Sequence, residues 1–268
     1  MKNVLSNLSL LGLVFAISLL VSCEKEIKLG LKDAATQYVL ESYFDDSLGF
    51  EIRITQSKAY YENNTFSEIS TAIVTLSDNV GNTTIIQHDS AGFYRNTSLL
   101  AVSGRTYTLT VSDQGNTFEA TSTVPNPTEI DKITVQNFSF GGGEPFKVLK
   151  VWYQDAPGLG NCYMSILTNE KTPDSGDGLF LQDDRLSDGI LNTMNLFGGD
   201  IAIGDTVHVG LRSIDKPSYD YFNTLDQLSG GGPGGGITPS NPTSNWSNNA
   251  LGIFAAYSLR GKYYVVTP

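Results

Sequence analysis

Phe50, Ile52 and Ile54 alternate with Glu51, Arg53 and Thr55, and Tyr107, Leu109 and Val111 alternate with Thr106, Thr108 and Thr110. A period of two puts one row of side chains on a core and the other in water, which predicts half-buried β-strands over residues 50–55 and 105–111. Residues 71–76, 83–87 and 117–123 are rich in β-branched side chains and predict further strands. Turn residues separate these runs: Asp78-Asn79-Val80-Gly81-Asn82, residues 89–92, Ser103-Gly104 and Asp113-Gln114-Gly115-Asn116. Short strands at this spacing predict an Ig-like or transthyretin-like antiparallel β-sandwich over residues 35–124.

Pro125-Asn126-Pro127 ends that pattern, because proline has no N–H to give a ladder. New strands are predicted at residues 130–138, 147–154, 162–168, 206–213 and 262–267, with Gly141-Gly142-Gly143 between the first two. They make a second, larger antiparallel β domain over residues 125–268. It carries one short helix, with Pro217 at its start, Ser218 as its cap, Tyr219, Phe222, Leu225 and Leu228 along one stripe, and Gly230 at its end. The fold class is therefore mostly β. A glycine-rich loop, residues 230–249, follows the helix; seven residues from Gly230 to Gly236 hold six glycines and one proline.

Ahead of the strands lies an apolar run, residues 8–19, with Lys2 before it. It has the length of a secretory h-region and is shorter than the roughly 20 residues that span a bilayer. Leu20-Val21-Ser22-Cys23 closes it and resembles the lipobox of bacterial lipoproteins. The resemblance implies a signal peptide over residues 1–22, a lipidated Cys23 and attachment to a membrane by that lipid. Residues 23–34 then read as a tether.

The chain of 268 residues has a net charge of −11, which disfavours nucleic acid as a partner because phosphates are repelled. With Cys23 lipidated, Cys162 has no partner for a disulfide and reads as a small buried hydrophobe in a strand. His88 and His208 are the only histidines and stand far apart, without the spacing of a metal cluster. Neither lies near a Gly-x-Ser-x-Gly elbow, which the chain lacks. Asp174, Asp177, Asp183, Asp184 and Asp188 form an acidic stretch whose oxygens suit calcium, or a solvated turn. Asp183 and Asp184 also leave open a carboxylate-dependent hydrolase. These sparse groups point to a protein that is not an enzyme.

Aromatics on loops are the other candidates. Tyr60 and Tyr61 are adjacent, so an extended segment turns one of them outward. Trp246 lies between Asn245 and Asn248 in a polar loop, where it either anchors a ligand or covers the end of the sandwich. Ser47, Ser90 and Thr206 each follow an aspartate and resemble bacterial O-glycosylation acceptors.

Asn241-Pro242, then Asn245-Trp246-Ser247-Asn248-Asn249-Ala250-Leu251-Gly252-Ile253-Phe254, and the segment Phe180-Leu181-Gln182-Asp183-Asp184-Arg185-Leu186-Ser187-Asp188-Gly189 resemble one family across essentially the whole mature chain. It is the family of outer-membrane lipoproteins called domain of unknown function 4249. The resemblance implies an accessory or ligand-capture role beside a TonB-dependent outer-membrane β-barrel, and no catalytic residues. The other reading is an independent carbohydrate- or peptide-binding surface adhesin. Glu24 and Glu26 resemble a surface-export signal, which implies exposure at the cell surface. Glycine is expected near Ala250 and Ala255, so alanine at both departs from the family pattern and questions a tight turn there.

Overall fold

The computed structural model describes residues 35–267 apart from 59–65, 140, 142–143, 173–178, 199–200 and 230–239. The leader, Cys23, the tether, Tyr60, Tyr61, Asp174 and Asp177 lie outside the described residues. Nine strands precede Pro125: β1 (Tyr38–Asp45), β2 (Gly49–Gln56), β3 (Ser67–Glu68), β4 (Ile73–Asp78), β5 (Thr83–Ile86), β6 (His88–Ser90), β7 (Phe93–Asn96), β8 (Thr106–Asp113) and β9 (Asn116–Thr123). After it come β10 (Ile130–Phe138), β11 (Phe146–Gln154), β12 (Cys162–Asn169), β13 (Phe180–Asp183), β14 (Leu191–Leu196), β15 (Thr206–Ile214) and β16 (Leu251–Val265), with helix α1 (Lys216–Ser229) between the last two.

The large sheet runs β13-β12-β15-β16-β1-β2-β7-β6, with β3 on β2. One face carries two smaller sheets side by side. The β5-β4-β8-β9 sheet closes a core over Leu40, Phe44, Ile52, Leu109 and Val111, and the β10-β11-β14 sheet closes another over Leu149, Tyr153, Val209 and Leu211. Helix α1 covers part of the opposite face, where Cys162, Met164, Ile214, Tyr221, Phe222, Ile253 and Ala255 pack together. The period-two rule produces these layers: on β16, Phe254 and Ala256 enter the first core while Ile253, Ala255 and Tyr257 meet the helix side.

The expected mostly β class is what the chain forms, but two features differ from the sequence reading. The first is the division at Pro125. It marks a change of core, yet residues 35–268 form one compact unit. The cause is β16, whose residues 251–257 pair in parallel with β1 and whose residues 258–265 pair antiparallel with β15. The two halves are thus two sandwiches sharing one sheet, and the second is not purely antiparallel at this joint. The second feature is the helix cap. Ser218 lies inside the first turn and is buried; Asp215 caps α1, its Oδ1 accepting the Ser218 N–H at 3.1 Å. The other Asp215 oxygen accepts the Ser122 hydroxyl at 2.7 Å and the Thr123 N–H at 3.0 Å, which fastens the helix start to the end of β9.

Local chemistry fixes the hairpins. Gln114 and Gly115 both have positive φ, 47° and 82°, between Asp113 and Asn116, the geometry whose twist matches paired strands. At the joint between β12 and β15, Asp205 accepts Lys171 and the Ala202 N–H. The Lys171 ammonium, then that N–H, hold the Asp205 carboxyl down at about 2. A depressed folded pKa contributes stability that is full above the ordinary carboxylate range and lost as pH falls through the folded value. The melting-temperature gap between wild type and Asp205→Asn is therefore expected to be widest above about pH 5 and to close towards pH 2. A gap unchanged across that range in a thermal titration would show that the ion pair does not stabilise the fold.

Cys162 is free and buried in β12. Burial pushes its thiol up to about 12. Thiol-specific labelling at pH 8 is expected to fail on the folded protein and to proceed after urea unfolding, since only the thiolate reacts. Rapid labelling of the folded protein would mean that β12 opens readily.

Candidate functional site

Segment 241–250 returns the chain from the second sandwich to the first, and it holds the loop residues that sequence singled out. Trp246 is only 6 % exposed, and its indole N–H donates to the Leu40 carbonyl at 2.9 Å inside the first core. Its reading as an outward ligand anchor is corrected: the side chain covers the sandwich end, as a large ring with one polar atom does when a carbonyl waits for it. Asn245 and Asn248 are likewise occupied. The Asn245 amide donates to Phe254 O at 2.8 Å and accepts the Phe254 N–H at 3.0 Å, copying the pairing of a neighbouring strand. Asn248 donates to Thr117 O, and Ser247 exchanges two bonds with Glu119, so the edge of β9 is sealed. Asn248 and Asn249 make the turn with φ of 54° and 56°. Asparagine tolerates that region, which is how the turn forms with alanine at position 250.

The acidic stretch is partly assembled. Asp184 and Asp188 meet Asp155, with one carboxylate oxygen from each within 4.8 Å of the others. Asp184, 1 % exposed, accepts the N–H groups of Gly160 and Asn161; Asp155 accepts the Tyr163 hydroxyl at 2.6 Å and the Gly189 N–H; Asp188 accepts the Gly158 N–H. These bonds tie loop 155–161 to loop 184–190. Three hard oxygen donors could take part in holding calcium, though they are fewer than its usual six to eight ligands. Asp183 does not join them. It ends β13 and pairs with Arg185 at 2.7 Å, consistent with neighbouring side chains on a strand facing apart. The Asp183–Asp184 hydrolase reading loses its geometry, because Asp184 is closed to a substrate. Asp155 escaped sequence reading because it lies some thirty positions upstream of its partners; a lone aspartate just after a strand gives no signal of what packs against it.

Ser47 and Ser90 are exposed, in the β1–β2 turn and on the edge strand β6, while Thr206 is half-buried in β15. The aspartates before them are engaged: Asp46 with Arg260, Asp89 with Arg95 and Asp205 with Lys171. His88 stacks edge-on against Tyr94 and His208 tilts over Tyr263 at 4.7 Å, so each histidine has an aromatic neighbour.

A cavity of about 240 Å³ opens on the helix side of the large sheet, where β16 changes partner. Tyr43, Glu51, Arg95, Arg212 and Tyr257 line it, with the exposed Leu48 among its lining residues. None of these residues stands out in the sequence, because they come from β1, β2, β7, β15 and β16 and meet only through sheet register.

The architecture defines a class: a β protein of two sandwiches built on one sheet, with a helix across part of its back. The chain belongs to the family described as Domain of unknown function (DUF4249), whose model matches residues 24–262. No curated protein matches it.

Proposed function

We propose that the protein is a lipid-anchored protein of the outer membrane, exposed at the cell surface, that serves a TonB-dependent transporter as a non-catalytic accessory or ligand-capture partner. Cys23 carries this reading. It stands directly after an apolar run and a Leu-Val-Ser triplet, and the family match begins at the next residue. The acidic, β-rich body that follows suits a domain held beside a membrane and not bound to its anionic face. Among the described residues no helix is long and apolar enough to cross a bilayer. The adhesin alternative rested on Trp246, Tyr60 and Tyr61; the Trp246 ring is buried, which weakens it, and the two tyrosines lie outside the described residues.

Two measurements test the reading. Cys23→Ala should abolish incorporation of a labelled fatty acid and move the protein out of the membrane fraction. Extraction of the tagged full-length protein from its native outer membrane in mild detergent should bring a TonB-dependent barrel with it in stoichiometric amount, identified by mass spectrometry. Recovery of the protein alone would overturn the partnership while leaving the anchor intact.

A further inference from the structure

Arg212 is the unusual group in the cavity on the helix side. Arg95, Arg105, Arg185 and Arg260 all have carboxylate partners, whereas Arg212 in this cavity, like Arg53 outside it, has neither an ion pair nor a hydrogen bond among the described residues. Its Nε is buried without a partner, and its guanidinium lies 4.7 Å from the centre of the Tyr257 ring. A buried charged donor left unpaired is costly, and the ring satisfies the face of the guanidinium and not its N–H groups. The other charges of the cavity are already engaged. Arg95 is paired with Glu51 and Asp89, and Asp45 accepts the N–H groups of Ser47 and Leu48.

We propose that this cavity is a binding site for a small carboxylate, its acid group paired with Arg212 and its body lying against Tyr43 and Tyr257. A guanidinium fork matches a carboxylate, and the two flat rings favour a planar or apolar body. Tyrosine hydroxyls are protonated at neutral pH and burial moves both of these further from ionisation, so neither repels an acid. A dry cavity of about 150 Å³ accommodates benzene, so one of about 240 Å³ has room for an arylalkanoate or a uronic acid. The proposal stands on the cavity and does not depend on a transporter partner.

The test is equilibrium dialysis and calorimetry of the detergent-solubilised full chain with acetate, benzoate, 3-phenylpropionate and glucuronate, each beside its neutral amide. At least one acid is expected to bind saturably at or below about 1 mM, with its amide at least tenfold weaker. Arg212→Gln should weaken that acid at least tenfold, and Arg185→Gln, an ion pair outside this cavity, should leave it unchanged. Leu48→Trp is a second variant that leaves the core alone; it should obstruct the cavity and reduce binding even if Arg212→Gln fails to fold. Gly-Gly-Phe and its C-terminal amide tell a free acid from a peptide end, either of which supports the site. The proposal is overturned if none of the acids binds, if acid and amide bind equally, or if neither variant weakens binding.

Discussion

Replacing Trp246 by alanine is expected to cost about 3–5 kcal/mol in urea unfolding, a large fraction of a domain's stability. Two losses combine. The first core loses a ring that is almost fully buried in the same cluster as Leu40, Phe118 and Phe254, and the Leu40 carbonyl loses the indole N–H that donates to it. Trp246→Phe separates them: it keeps most of the packing and removes the N–H, so its cost should be about 1–3 kcal/mol. A change below about 1 kcal/mol for the alanine variant would place the indole at the surface and revive it as a ligand anchor.

The second large effect is expected at Gly252. Its φ is +98°, and a Cβ built there would come 2.2 Å from the Leu40 oxygen and 2.7 Å from the Leu40 carbonyl carbon. Backbone is what it would meet, so no flexible side chain can give way. Gly252→Ala should therefore cost more than about 4 kcal/mol, seen as a collapse in soluble yield or a large fall in the urea midpoint. Gly198→Ala, whose added methyl would meet only side chains at 3.6 and 3.7 Å, should stay within about 0.5 kcal/mol of wild type. Near-normal stability of Gly252→Ala would mean that β1 and β16 pair less closely than described.

These two residues show where sequence reading ran out. Several strands were legible: β8 follows a strict half-buried-to-buried rhythm over Thr106–Asp113, and β10 spans the predicted residues 130–138. β1 and the first half of β16 were not. That half of β16 lies in the middle of the large sheet with cover on both faces, so Ile253, Phe254, Ala255, Ala256 and Tyr257 are buried in succession and the period of two disappears, whereas β1 alternates buried Leu40, Ser42 and Phe44 with half-buried residues. Only the solvent-facing tail of β16, near residues 262–267, kept the pattern that sequence can read.

The candidate sites failed for a related reason. Asp184 and Asp188 were visible because they lie together in the chain, but Asp155 completes their cluster from another loop. The polar run around Trp246 looked like a ligand loop, yet its amides bond Thr117, Thr121 and Phe254. Composition records that such side chains make hydrogen bonds and says nothing about whether the partner is a ligand or a strand edge.

The shared strand also governs when the protein is able to fold. Leu40 and Trp246 lie 206 positions apart, and both sandwiches need β16, which follows every other described strand along the chain. Closing so large a loop is slow, and contacts of this range place a chain among the late folders. A nascent polypeptide lacking its last twenty or so residues has no partner for β1 beyond β2 and no edge for β15 beyond β12. It therefore stays open until β16 has been made.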